Sequence, residues 1–244
     1  MNLKEEAVES PAQKPQDEFV EVLRSLVHEL SQPLTSLGGS LEVALMDEMD
    51  EDESRKVLQQ SLEETHRAAE VLGTLREVLE AEDPGEDFHP VCWKHLVARA
   101  LEDVAPVARG KGLRFVLDPM VDAYVKVNPP RVDAAMRELL RYLIGRGARK
   151  GVIRIGLSVQ ERTASLSVRD DGLPPDAAAP AGKSLPPASF TGALERTQLD
   201  WWILRRTIEG QGGWLEVEKI PPRGVCCRIY LPLASSEDAR PSSA

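Results

Sequence analysis

The chain has 244 residues, of which 42% are hydrophobic and 29% charged, and a formal net charge of −10. This size allows two modest globular domains, and the excess of acid argues against nonspecific nucleic-acid binding, which needs a basic surface. No apolar run reaches the roughly 18 residues of a membrane span, and residues 1–16 lack the apolar core of a signal peptide. We therefore expect a flexible tail over 1–16, no membrane partner and a cytoplasmic protein. Its three cysteines make no disulfide framework and are expected to be reduced.

Two amphipathic helices are predicted first, over 17–47 and 53–81, because apolar residues recur at helical spacing. The acidic residues 47–53 are predicted to be a solvated turn between them. Two helices joined this way form an antiparallel hairpin, here a domain over 17–82. Each apolar stripe is broader than one helix can cover, so we expect a homodimer whose hairpins form a four-helix bundle. The stripes consist of Phe19, Val22, Leu23, Leu26, Val27, Leu30, Leu34, Leu37, Leu41, Ala44 and Leu45, and of Val57, Leu58, Leu62, Thr65, Ala69, Leu72, Leu75 and Leu79.

A histidine and a carboxylate follow each other on the polar side of the first helix. His28 projects nearly opposite the apolar stripe and is expected to face water, with Glu29 directly after it. A neutral imidazole offers one nucleophilic nitrogen, and a neighbouring carboxylate can take the proton from the other, which is what phosphoryl transfer to histidine requires. Pro33 lacks the N–H that would bond the carbonyl of Glu29, so the helix is expected to loosen or bend there. For a lone histidine a solvated surface position is the simpler interpretation, and His66 is expected to be structural or without a role.

The pattern His-Glu-x-x-x-Pro-Leu, from His28 to Leu34, resembles the phosphoacceptor box of the two-component histidine kinases. It matches the variant that reads His-Glu-Leu-x-Gln-Pro-Leu. The resemblance implies that His28 accepts a phosphoryl group, that Glu29 acts as the base, and that Gln32 belongs to the same catalytic site.

A linker at Asp83-Pro84-Gly85 ends the hairpin, and a second domain is predicted over 88–233, followed by a tail over 234–244. Mixed strands and helices, with antiparallel hairpins late in the domain, indicate an α/β sandwich with helices on one face of a mixed sheet, so the whole chain is α+β. The order is similar to the ATP-binding domain of histidine kinases, the fold shared with gyrase and heat-shock chaperone ATPases. Helices are predicted over 93–109, 131–146 and 198–209, strands over 88–91, 113–117, 123–127, 152–160, 163–169, 214–218 and 224–231, and a loop over 171–190.

The resemblance implies an ATP site, and the sequence departs from the family at its metal-binding helix and its adenine turn. The helix motif Asn-Leu-Leu-x-Asn-Ala corresponds to residues 138–143, where Tyr142 replaces the Asn that holds Mg²⁺. A phenol is a poor ligand for this compact, hard cation. The turn Asp-x-Gly-x-Gly keeps Asp170, which would accept a hydrogen bond from the adenine amine, and Gly172. Its second glycine is replaced by Pro174, and these residues are equally explained as a plain turn after a strand.

The third part of an ATP site in this family is a glycine-rich segment whose backbone N–H groups approach the phosphates. The corresponding residues, 196–201, contain no glycine. Asp200 would repel phosphate, although Arg196 could partly offset it. We therefore expect weak or no ATP binding, no bound cofactor and no metal site in this domain.

Three functions remain open from the sequence. In the first, a phosphorelay protein carries a phosphoryl group on His28 and exchanges it with receiver-domain aspartates of response regulators, and its former ATP domain docks partners or shapes the dimer. In the second, an active, divergent cytoplasmic sensor histidine kinase phosphorylates His28 from ATP and Mg²⁺. In the third, the chain is a non-catalytic dimeric adaptor and His28 is a relic. Dependence on His28 separates the third from the others, and dependence on ATP separates the second from the first.

Overall fold

The computed structural model of the protein describes residues 14–46, 49–148, 150–172 and 196–235. The chain divides into two compact units, of which the first takes in the helices up to Val78 and the second begins at Leu79. The predicted class, a helical hairpin followed by an α/β sheet domain, is confirmed. Across these four ranges no helix is long and apolar enough to cross a bilayer. Most of the predicted tails and of the predicted 171–190 loop lies outside the described residues.

The hairpin consists of α1 (Lys14–Met46) and α2 (Glu51–Glu82). The prediction of a turn over 47–53 is wrong at its end, because Asp50 and Glu53 form a capping box. Asp50 Oδ1 accepts the N–H of Glu53 at 2.7 Å, and Glu53 Oε2 accepts the N–H of Asp50 at 3.2 Å. The acidic residues therefore begin a helix, whose positively polarised N-terminus favours them.

Each helix of the hairpin keeps a leucine-rich side uncovered within one chain. Val22 and Leu26 of α1 are buried, as are Ala68 and Val78 of α2. Much of the predicted stripes remains exposed instead, at Val27, Leu34, Leu41 and Leu45 on α1 and at Leu58, Leu62, Leu72 and Leu79 on α2. Exposed apolar residues recur every seven positions on α1, at 20, 27, 34 and 41, a spacing typical of helices that pack in bundles.

The second unit is built on a five-stranded mixed sheet and a separate two-stranded one. In the large sheet one outer pair is parallel and the other pairs are antiparallel. Its strands, in spatial order, are β2 (Arg114–Met120), β4 (Val152–Gln160), β5 (Thr163–Asp170), β7 (Val225–Pro232) and β6 (Trp214–Lys219). The small sheet pairs β1 (His89–Cys92) with β3 (Tyr124–Val127). Each strand lies at its predicted place, with some ends shifted by a few residues.

Three helices complete the core of this unit: α3 (Trp93–Gly110), α4 (Pro129–Arg146) and α5 (Arg196–Gly210). Along β4, Ile155 and its alternate neighbours are buried whereas Arg154 is exposed, so the sheet buries one face. Helix α4 begins two residues before its predicted start because the Asn128 side chain accepts the N–H of Arg131 at 3.3 Å and proline occupies the first helical position.

The last turn of α2, from Leu79, and the linker after it belong to the second unit and bond to other residues of that unit. The Glu82 carboxylate accepts hydrogen bonds from Nε and an Nη of Arg206 at 2.5 and 2.8 Å. Buried Gln211 donates to the carbonyl of Pro84 at 3.2 Å, and its own carbonyl oxygen accepts the N–H of Asn128 at 2.7 Å. Two separate sets of polar contacts, one to Arg206 of α5 and one to Gln211 just after it, thus hold the end of α2 and the linker.

We expect Glu82→Gln to lower the free energy of unfolding of the second unit by about 1–3 kcal/mol, because a bidentate, charge-assisted pair between partly buried side chains is worth roughly this much. The Glu82 carboxylate raises the pKa of Arg206 above its ordinary value. Urea unfolding measures the loss. The matched control is Glu138→Gln, whose carboxylate pairs with Arg141 where both side chains are 56% exposed, and which should change stability by less than about 0.5 kcal/mol. Equal losses in the two variants would contradict the prediction.

Candidate functional site

The predicted phosphoacceptor lies on the exposed side of α1. His28, Glu29 and Gln32 are all exposed. In the described part of the chain, no hydrogen bond or ion pair engages His28. Successive residues project about 100° apart around a helix, and no hydrogen bond between described residues joins Glu29 to His28. The role of Glu29 as the base therefore stays a prediction.

The helix continues through Pro33 to Met46 as one element, and two hydroxyl side chains near the proline bond to its backbone. Ser31 Oγ donates to the carbonyl of Val27 at 2.8 Å, and Thr35 Oγ1 donates to the carbonyl of Ser31 at 2.8 Å. Pro33 itself is buried. Pro33 cannot contribute an N–H to the helix, and neither hydroxyl replaces the bond that the carbonyl of Glu29 loses.

A groove of about 300 Å³ runs between the two helices next to this turn. Its walls are formed by Glu29, Gln32, Pro33 and Ser36 of α1 and by Glu64, Arg67, Glu70 and Val71 of α2. The buried Glu64 carboxylate accepts hydrogen bonds from Arg67 at 3.1 Å and from Ser36 at 3.5 Å. His28 precedes Gln32 by one helical turn, so it lies at the rim of the groove. An exposed histidine thus stands one helical turn from a mainly acidic groove, whose arginine pairs with Glu64.

Aromatic side chains meet between α4 and α5, where the resemblance places the phosphates and the metal. The ring centroids of Tyr142 and Trp201 lie 4.9 Å apart, with the planes at 72°, an edge-to-face contact. Trp201 is buried. The neighbouring cavity of about 20 Å³ has room for about one water molecule. At its edge Asp200 forms an ion pair with Arg196 at 2.8 Å. The positive charge that was expected to offset Asp200 in part is therefore in direct contact with it.

Asp170, the predicted adenine acceptor, is engaged by an arginine that the sequence interpretation missed. Arg146 Nε, in the last turn of α4, lies 3.0 Å from Asp170 Oδ2, and the two side chains are 8% and 1% exposed. An Nη of Arg146 donates to the Tyr142 hydroxyl at 3.2 Å. Burial raises the pKa of Asp170, although Arg146 and the backbone N–H of Gly172 act in the opposite direction.

Two glycines fix the backbone around Asp170. The N–H of Gly172 donates to Asp170 Oδ1 at 2.8 Å, and a Cβ at Gly172 would lie 3.1 Å from the carbonyl oxygen of Arg146. Gly224 has a φ of +97°, and a Cβ there would lie 2.3 Å from the carbonyl oxygen of Asp170. Gly224 therefore needs to be glycine, and Gly172 lies in a tightly packed turn between the end of β5 and the end of α4.

Two described residues bear on whether this cleft could take Mg²⁺-ATP as the family binds it. The phenol of Tyr142 stands where the family has its metal-holding Asn. The guanidinium of Arg146 pairs with Asp170, whose carboxylate would otherwise accept the adenine amine. Pro174 lies outside the described residues. Sequence reasoning missed Arg146 because a basic residue in the last turn of a helix is ordinarily explained by the helix dipole alone.

Comparison with known proteins supports the assignment of both units. Residues 20–83 match the His Kinase A (phospho-acceptor) domain family. The sensor histidine kinase YcbM of Bacillus subtilis is 24% identical over 163 residues, which cover 65% of this chain and 52% of that protein. The chain therefore spans about half the length of this relative.

Solved histidine kinases share the fold. The histidine kinase ThkA, in a crystal structure with the response regulator protein TrrA, matches with a TM-score of 0.61 at 19% identity, covering 92% of this chain and 64% of that one. The Acinetobacter baumannii histidine kinase AdeS matches with a TM-score of 0.55 at 19% identity, covering 85% and 98%. The second unit therefore has a fold found in histidine kinases, downstream of a phosphoacceptor hairpin.

Proposed function

We propose that this two-component histidine kinase core works as a phosphotransfer protein. His28 accepts a phosphoryl group from the aspartate of a phosphorylated receiver domain and passes it to another receiver or to water, and ATP is not used. The observation that carries the proposal is an exposed His28 on a hairpin that matches the phospho-acceptor family. In the same chain Tyr142 packs on Trp201, and Arg146 pairs with Asp170, the residue that the resemblance assigns to adenine.

The chemistry needs only groups that the hairpin presents. A neutral imidazole nitrogen of His28 attacks the phosphorus of the receiver's acyl phosphate, an N–P bond forms, and the P–O bond to the aspartate breaks with the carboxylate leaving. The proton on the other nitrogen goes to Glu29, directly or through water. Attack by a second aspartate on phosphohistidine reverses these steps. Exposure of His28 is essential, because the acyl phosphate must come within bonding reach.

In this proposal a second copy of the chain covers the exposed apolar side of the hairpin. The exposed leucines of α1 and α2 repeat at bundle spacing, and burying them against an identical hairpin gives a four-helix bundle. The groove beside His28 is then the surface on which a receiver domain docks, and the complex of ThkA with a response regulator supports this kind of partner. The free cysteines suit a reducing cytoplasm.

The second candidate function is a divergent kinase that phosphorylates His28 from ATP. Asp170 and Gly172 favour it, because both residues stand at the adenine turn of the family. If the protein is a phosphotransfer protein, the two residues have structural roles instead: Asp170 pairs with Arg146, and Gly172 fits a crowded turn.

The test offers two phosphoryl sources to the purified chain. With labelled ATP and Mg²⁺ we expect no label on the protein, and with a labelled phosphorylated receiver domain we expect acid-labile label on His28. Label from ATP that requires His28 would overturn the proposal in favour of the kinase. No label from either source, with several receivers tried, would leave the dimeric adaptor as the function.

A further inference from the structure

We propose that Arg146 is a built-in occupant of the adenine subsite, with its guanidinium held where the amine edge of adenine would meet the Asp170 carboxylate. The inference rests on the proposed function, and it names the single side chain that blocks the adenine subsite. Arg146 belongs to α4 and Asp170 to the end of β5, so the contact joins the two elements that frame the cleft.

Both carboxylate oxygens of Asp170 already lie against other groups of the protein. Its Oδ1 accepts the N–H of Gly172 at 2.8 Å, and its Oδ2 lies 3.0 Å from Arg146 Nε. A guanidinium is planar and presents N–H donors in a fixed fork. The amine edge of adenine is also planar and donates an N–H, so the two groups compete for the same carboxylate oxygen.

Aromatic neighbours hold the guanidinium in this place. The Arg146 Cζ lies 5.7 Å from the centre of the Tyr142 ring, within the range of a cation–π interaction, while an Nη donates to the phenol oxygen. Tyr142 in turn packs edge-to-face on Trp201 of α5. The substitution of Tyr for the family's Asn and the presence of Arg146 thus act together, because Tyr142 supports the arginine that fills the subsite.

The test removes the side chain and offers the ligand that it replaces. Arg146→Ala should lower Tm by about 10 °C, since it leaves Asp170 buried without its charge partner. Adenosine at about 10 mM should then raise the Tm of this variant by about 3 °C, whereas inosine, which has a carbonyl in place of the amine, should not. Wild type should respond to neither nucleoside. Arg141→Ala, on the same helix with a half-exposed side chain, is the matched control and should resemble wild type.

Each result decides the inference independently of phosphoryl transfer, because His28 takes no part. An equal adenosine response in wild type would show that Arg146 does not fill the subsite and would overturn it. So would a folded Arg146→Ala chain that methylguanidinium stabilises and adenosine does not. Should the alanine variant fail to fold, Arg146→Met provides the same comparison, because it keeps the apolar stem of the side chain and removes the group that donates to Asp170.

Discussion

We expect His28→Ala to abolish phosphoryl transfer from a phosphorylated receiver domain to this protein. No other described side chain combines the phosphoacceptor pattern with an exposed imidazole, so the loss should be complete, whereas the fold should be unaffected because His28 makes no hydrogen bond or ion pair among the described residues. Acid-labile radiolabel on the purified chain measures the transfer, and circular dichroism checks that the variant remains folded.

The matched control for this experiment is His66→Ala. His66 is also an exposed histidine on the hairpin, but it lies on α2, outside the phosphoacceptor pattern. It should accept no label in the His28→Ala chain, and its own removal should leave transfer unchanged. Label that persists in His28→Ala and disappears only when His66 is also replaced would contradict the prediction, because it would make His66 of α2 the phosphoryl acceptor.

Periodicity was sufficient to predict the elements that place His28. The polar side of α1 follows from the spacing of its apolar residues, and the strand over 152–160 follows from alternation of buried and exposed residues. The sequence did not predict which apolar residues of α1 and α2 would be buried within one hairpin and which would stay exposed to a second copy. The α2 side with buried Ser61 and Glu64 is partly polar, so hydrophobicity alone favours the opposite, leucine-rich side that stays exposed in one chain.

The candidate nucleotide cleft shows a different limit. Tyr142 could be placed from sequence because a motif anchors it, and its consequence for a metal follows from chemistry alone. Arg146 could not, because its contact with Asp170 joins residues that lie far apart in sequence, at the ends of α4 and β5. The same holds for Arg206 and Glu82. Ion pairs between residues far apart in sequence leave no periodic pattern in the sequence. They can be identified only once the fold is known.

We expect Leu34→Glu to convert the protein from dimer to monomer. Leu34 is 50% exposed in one chain and belongs to the seven-residue repeat of α1. Burying its remaining surface in a bundle contributes on the order of 1 kcal/mol per copy, and a carboxylate in its place costs several kcal/mol more unless paired. In a symmetric interface each substitution counts twice, so the dissociation constant should rise by at least about 10³-fold.

Sedimentation equilibrium on the full chain measures this change, with Leu117→Glu as the matched control. Leu117 is similarly exposed, at 58%, but lies on β2 of the second unit and is not part of the leucine repeats of the hairpin. Its replacement should leave the dimer intact, because there a glutamate faces water in either state. A Leu34→Glu chain that still sediments as a dimer would place the association elsewhere and remove the support that the exposed leucines give to a four-helix bundle. If instead both leucine variants dissociate, the interface includes the edge of the sheet, and the hairpins alone do not hold the two copies together.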